Sequence, residues 1–232
     1  MRIFFDIETV PNYANREEYS RVTKGLKDGT FRERGPEFYR HEYGALNPFE
    51  GKTVLITYQV DEGKPQYLKE WKADEPTILR KFYDSLNQPK ERVTLVGFNI
   101  AKFDLPFLFA RIIHHKKEMS LSDADMVWVF KRLLNFVNVV DLMQLHLPLN
   151  HYTHEGMVHD VLTTCYDCQT KVGSGSDVKE HYYTEPEGMM EYVEKEFVYP
   201  QMFAKMLKDG LVARDRLQEL VKESNARRGM SG

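Results

Sequence analysis

Asp6 and Glu8 stand one residue apart in the apolar opening Met1-Arg-Ile-Phe-Phe-Asp-Ile-Glu8. Side chains alternate faces along an extended strand, so acids at i and i+2 project to the same side. Two like charges on an apolar strand repel each other and resist burial; they call for a cation, a partner base or abundant water. A third acid closes the stretch Gly97-Phe-Asn-Ile-Ala-Lys-Phe-Asp104, between a short apolar run, Arg92 to Gly97, and a helix-patterned run with Leu105, Leu108, Phe109 and Ile112. Pro106 is tolerated in the first turn of such a helix. A carboxylate placed there faces the C-terminal edge of a sheet, where strand one also delivers its acids and where α/β folds hold ligands. A fourth lies in Tyr192-Val-Glu-Lys-Glu196, where a tyrosine and an acid four apart are neighbours on one helical face.

The elements that must carry these groups are set by periodicity and punctuation. Thr53 to Val60 and Gln66 to Trp71 flank Asp61-Glu-Gly-Lys-Pro and read as a hairpin after strand one, giving three antiparallel strands. Ile78, Leu79, Phe82, Tyr83 and Leu86 recur at helical spacing, with Asp74 or Glu75 at the cap. The Arg92–Gly97 strand comes after that crossover helix and is expected to lie parallel to strand one. Asn135 to Asp141 reads as a last strand, with Asp141 capping a helix or turn directly after it, and Met157 to Tyr166 as a helix. Lys171 to Asp177 reads as a flexible loop with a lysine at its mouth. Pro186 to about Leu207 reads as one helix kinked at Pro200, and Leu211 to Val221 as another. Between Tyr13 and Glu50 the spacing supports a helix from Arg16 to Lys24 and a loop beyond it, with Gly25, Gly29, Gly35 and Pro36 as breakers. There Arg32, Arg34 and Arg40 interleave with Phe31, Phe38, Tyr39 and Tyr43, a composition able to grip a phosphate backbone and stack on bases, or equally to form a solvated insertion.

Taken in order, these stretches resemble the DEDD superfamily of 3′–5′ exonucleases. D-I-E stands for the first motif, N-x-x-x-F-D from Asn99 to Asp104 for the second, and Tyr192 to Glu196 stands where that family has Y-x-x-x-D. The set is most similar to the tyrosine-type branch, which includes the proofreading domain of family B DNA polymerases and stand-alone relatives of it. Lys171, Ser174-Gly175, Val178 and Tyr182 resemble the lead-in to its third motif, and the likeness runs over roughly residues 1 to 208. The departure is Glu196, one methylene longer than the family's aspartate.

The resemblance implies a ribonuclease H-like α/β fold, a mixed five-stranded sheet flanked by helices. It also implies a metal-dependent 3′–5′ exonuclease that shortens single-stranded DNA, or RNA, from the 3′ end. Two Mg²⁺ or Mn²⁺ ions ~3.5–4 Å apart serve that hydrolysis. By the same resemblance Asp6 bridges both ions, Glu8 and Glu196 hold the one that binds the attacking water, and Asp104 serves the other largely through water. Tyr192 orients the water, Asn99 and Phe103 place the terminal nucleotide, Thr9 or Val10 lies near its sugar, and Lys171 contacts substrate. The alternatives are a nucleic-acid-binding module that has lost catalysis, as Glu196 permits, and a subunit whose 13–50 insertion docks a replication or repair partner.

Totals restrict rather than identify. With 32 basic and 35 acidic residues the net charge is −3, so nothing global announces a nucleic-acid binder. No apolar run is long enough for a bilayer and no sustained apolar core comes after the N-terminus, so the expectation is a cytoplasmic protein with no membrane partner. Its 232 residues suit one domain, with the insertion at about 13–50 and C-terminal helices at about 186–227. Cys165 and Cys168 form a lone C-x-x-C, read as half-buried packing rather than as a zinc site with His151, His154 and His159.

Overall fold

The structure is a computed structural model that describes residues 1–87, 92–133, 138–169 and 175–227. Its frame is a five-stranded sheet of β1 (Arg2–Pro11), β2 (Gly51–Val60), β3 (Gln66–Lys69), β4 (Thr94–Gly97) and β5 (Val139–Asp141), ordered β3-β2-β1-β4-β5. The first three strands pair antiparallel, and β4 and β5 run parallel to β1. This is the ribonuclease H-like arrangement expected from the sequence.

Between β1 and β2 lie α1 (Arg16–Lys27) and α2 (Pro36–Tyr43); α3 (Glu75–Leu86) crosses from β3 to β4. Then α4 (Asp104–His114) and α5 (Asp123–Leu133) lead to β5. After it come α6 (Leu142–His146), α7 (His159–Cys165), α8 (Gly175–Thr184), α9 (Met189–Glu196), α10 (Tyr199–Asp209) and α11 (Arg214–Arg227). Period two in β1 divides its side chains between two cores. Ile3, Phe5 and Ile7 pack with Ile78, Phe82, Leu105 and Leu108, from α3 and α4. Phe4 packs on the other face with Leu142, Leu162, Tyr199 and Phe203, from α6, α7 and α10. Asp6 and Glu8 continue the Phe4 side of that alternation, so they project toward the second set of helices. A third cluster joins Val10, Tyr13, Tyr19 and Val22 to Val178, Tyr183 and Met189.

The insertion and the late helix differ from expectation. Residues 36–43 form a helix, because Pro36, expected to break one, occupies the first turn, where no N–H is needed and its fixed φ suits the helix. A 3₁₀ turn, Gly44–Leu46, then leads toward β2. The stretch from Pro186 is not one kinked helix. A 3₁₀ turn, Pro186–Gly188, precedes α9, which ends at Glu196, and α10 starts afresh with Pro200 in its first turn. Proline cannot donate to a helical carbonyl and its ring clashes with the carbonyl of residue i−4, which here is Glu196. The break at Phe197 and Val198 re-aims the chain so that Tyr199 points back toward β1. Gly175 to Asp177 begin α8 instead of continuing a loop, whereas Lys171 and Ser174 lie outside the described residues. No helix among the described residues is long and apolar enough to cross a membrane. Cys165 is buried among apolar side chains, which pushes its thiol up to about 11, and Cys168 is partly buried; both are free.

Candidate active site

Strand β1 outruns its neighbour. Its parallel pairing with β4 covers Arg2, Ile3 and Phe4, and β4 turns away at Gly97, where an added Cβ would meet the Phe5 carbonyl oxygen at 2.7 Å. Beyond that point the Ile7 N–H donates to Asp104 Oδ1 at 3.2 Å, so the first residue of α4 stands in for the missing strand. The pairing register with β2 shifts between Glu8 and Thr9, a bulge of the kind that re-aims side chains beside functional sites. Asp6 and Glu8 are both partly exposed at this strand end.

The loop that delivers Asp104 is braced by Asp141. Its Oδ1 accepts from the Asn99 N–H at 3.0 Å and its Oδ2 from the Ala101 N–H at 2.9 Å, while Oδ1 also caps α6 through Met143 and Gln144. Asn99 sits at φ 58°, a left-handed conformation that asparagine tolerates better than most residues. Its side-chain Oδ1 is buried without a hydrogen-bond partner among the described residues, a polar atom available to a ligand. Phe103 packs against Phe107 with ring centroids 5.5 Å apart.

Asp104 is 4% exposed, and burial first, then the charge of Asp6, raises its carboxyl well above the ordinary aspartate value; Asp141 adds to the same effect. Among the described residues no basic side chain lies within ion-pair distance of it. Opposite stands α9. The Tyr192 hydroxyl donates to Glu196, and burial followed by the charges of Glu8 and Glu196 holds the phenol well above its usual range, so it acts as a donor and not as a base. Glu196 itself is 8% exposed. From α10 the Tyr199 hydroxyl donates to Asp6 Oδ1 at 3.0 Å.

The fold therefore brings together Asp6, Glu8, Asp104, Tyr192 and Glu196, from one strand and two helices. The surrounding candidates divide. Thr9 is held at the strand end by a 2.7 Å hydrogen bond to the Ala45 carbonyl. The Val10 side chain is fully buried in the third core cluster and is not presented to a ligand. Two contributors carried weaker signals. Asp141, which by sequence caps a helix and is the reserve candidate for the site, is also the brace of the Asn99 loop; Tyr199 carries no sequence signal of its own beyond its place before Pro200.

All the clustered ligand atoms are hard oxygens, which fit a magnesium- or manganese-like ion and not a soft metal. The carboxylates are not a finished cage, since among the described residues no three acid, imidazole or thiolate groups converge closely enough to hold an ion. Asp104, buried beside the charge of Asp6, is the acid whose burden a divalent cation would relieve.

No protein-family model matches the sequence, and no curated protein matches it. In three dimensions the chain is similar to the family B DNA polymerase from the hyperthermophilic archaeon Pyrobaculum calidifontis, with a TM-score of 0.55 and 16% sequence identity. The match covers 99% of this chain and 29% of that polymerase. The chain thus has a ribonuclease H-like fold that is structurally similar to part of a family B DNA polymerase.

Proposed function

We propose that this protein is a metal-dependent 3′–5′ exonuclease acting on single-stranded nucleic-acid ends, with DNA the favoured substrate and RNA a second one. The observation that carries the reading is the grouping of Asp6, Glu8, Asp104 and Glu196 about the partly buried Tyr192 and the buried Tyr199, with burial first and then the charge of Asp6 raising the Asp104 carboxyl. Two bound Mg²⁺ or Mn²⁺ ions would supply a hydroxide-like nucleophile and neutralise charge on the leaving 3′ oxygen. Asp6, Glu8, Asp104 and Glu196 are the residues that would hold them. Tyr192, a hydrogen-bond donor already engaged with Glu196, orients the attacking water. The Asn99 amide and Phe103 receive the terminal nucleotide from the braced loop, and Thr9 lies at the sugar side. Lys171 belongs to the same substrate-binding reading.

The whole chain is proposed to act as a single exonuclease domain. Its test is degradation of single strands, DNA and RNA, labelled at the 3′ or the 5′ end, with Mg²⁺, Mn²⁺ or EDTA. Release of nucleoside monophosphates from the 3′ end, suppressed by EDTA, is expected; no metal-dependent shortening of either strand would overturn the reading. One observation favours a second reading, a nucleic-acid-binding module with weakened catalysis: among the described residues the acids do not converge into a preset cage. That reading predicts retained binding of 3′ ends without cleavage in the same assay.

A further inference from the structure

We infer that Tyr199 is a positioning residue for Asp6: its hydroxyl holds one oxygen of that carboxylate so that the rest of the group is aimed at a divalent ion. The inference rests on the exonuclease reading of the site and adds to it a residue outside its acidic and tyrosine motifs. Three observations support it.

First, the contact is specific. Tyr199 Oη lies 3.0 Å from Asp6 Oδ1, across 193 residues of sequence. A buried tyrosine hydroxyl needs an acceptor, and a backbone carbonyl would serve. Tyr199 instead takes a carboxylate that is itself partly exposed and could be hydrated. A carboxylate offers about four lone-pair positions, so one bond from a phenol restrains its rotation while taking only one of them.

Second, the ring has little freedom. Tyr199 is 2% exposed, and Phe197 and His159 meet it nearly edge-on, with ring centroids 5.5 and 5.7 Å away. It also occupies the first position of α10, where Pro200 fixes the entry of the chain. A hydroxyl so held is a rigid donor, whereas a water in its place would be exchangeable.

Third, Tyr199 complements Tyr192. Tyr192 donates to Glu196 on the Glu8 side of the cluster, and Tyr199 donates to Asp6 while feeling the charges of Glu196 and Asp104. Each phenol restrains a different carboxylate. Residues that orient a metal's ligands typically contribute ~10–100-fold in metal affinity when removed.

The experiment is Mn²⁺ titration of the full chain and of Tyr199→Phe, by calorimetry or by the electron paramagnetic resonance signal of free Mn²⁺. Phenylalanine keeps the ring and its packing and removes only the hydroxyl. Mn²⁺ affinity is expected to fall ~10–100-fold, and the exonuclease deficit of the variant at low Mn²⁺ is expected to shrink as Mn²⁺ is raised. A purely structural role would lower the melting temperature and leave Mn²⁺ affinity within about twofold of the parent, a result that overturns this inference while the exonuclease reading stands. A parent chain that binds no Mn²⁺ overturns both. Should the variant fail to fold, a crystal structure of the parent soaked in Mn²⁺ decides: Tyr199 Oη within hydrogen-bond distance of Asp6 beside a bound ion supports the inference, and separation of the two groups overturns it.

Discussion

Glu75 and Asp104 are 5% and 4% exposed, and both belong to the surroundings of α4, Asp104 as its first residue and Glu75 through Arg111, two turns farther along. Burial alone would raise both carboxyls. Around Glu75 it is overcome: His115 Nε2 lies 3.0 Å away, Arg111 donates from Nε at 2.9 Å and Nη2 at 2.6 Å, and the Thr53 N–H donates at 2.7 Å. Hydrogen bonds from His115 and Arg111 thereby bring its pKa down to about 2. Around Asp104 a backbone N–H, that of Ile7, donates as well, but no basic side chain does among the described residues; Asp6 and Asp141 add their charges to the burial, and its carboxyl rises. One acid carries its own cation, Arg111, and is architecture. The other is crowded with acids, and on the proposed reading it would take a cation from outside.

That contrast can be tested by substitution. The largest effect is expected for Asp6→Ala, which removes the Tyr199 acceptor and, on the proposed reading, a metal ligand: exonuclease activity should fall to that of an enzyme-free control while circular dichroism stays unchanged. Retained cleavage would remove Asp6 from the site. Arg111→Met should act on stability instead, by about 3–5 kcal/mol in urea denaturation, because it leaves Glu75 buried without its main partner and frees the Pro48 carbonyl that Arg111 also binds. A loss under about 1 kcal/mol, the usual worth of an exposed pair, would show that this one is dispensable.

Further substitutions refine the acidic side. Tyr192→Phe is expected to lower the cleavage rate ~10–100-fold, the worth of one hydrogen bond involving a charged group, with little change in end binding. Asp104→Asn should abolish cleavage yet raise the melting temperature of the EDTA-treated chain by a few degrees. The sign comes from linkage. A carboxyl whose folded pKa is raised favours the folded state at pH below its ordinary 3.8, and that stability is lost as pH rises through the folded value. Glu75 behaves oppositely: its contribution is present above 4.5 and is lost as pH falls toward about 2. Metal-free Asp104→Asn melting no higher than the parent at neutral pH would contradict the charge-crowding account. The smallest change is expected for Glu196→Asp, with activity equal to or above the parent; complete loss would mean that the glutamate's length is matched to this site.

Much of the frame is legible in the chain itself. The hairpin, the crossover helix over Glu75–Leu86, the parallel β4 and the helix opening at Asp104 all rest on local signals: period two, period 3.6, caps and turn residues. Pro36 and Pro200 mislead because a proline that breaks a helix from inside also begins one from its first turn, and which applies depends on where the preceding chain must go. The Asn99 loop shows its motif but not its support, since Asp141 reaches it from 42 residues away in sequence.

That Asp6 and Glu8 share a face of β1, and that Asp104 opens a helix, are properties of a few consecutive residues, and the order of amino acids suffices for both. What surrounds those acids is a matter of packing. The fold ends β4 early enough for Asp104 to bond Ile7, breaks the chain between α9 and α10 so that Tyr199 reaches Asp6, and places Arg111 beside Glu75 and not beside Asp104. Such pairings join residues up to 193 apart, and they are set by how the sheet and its two helical layers pack, which no local period encodes.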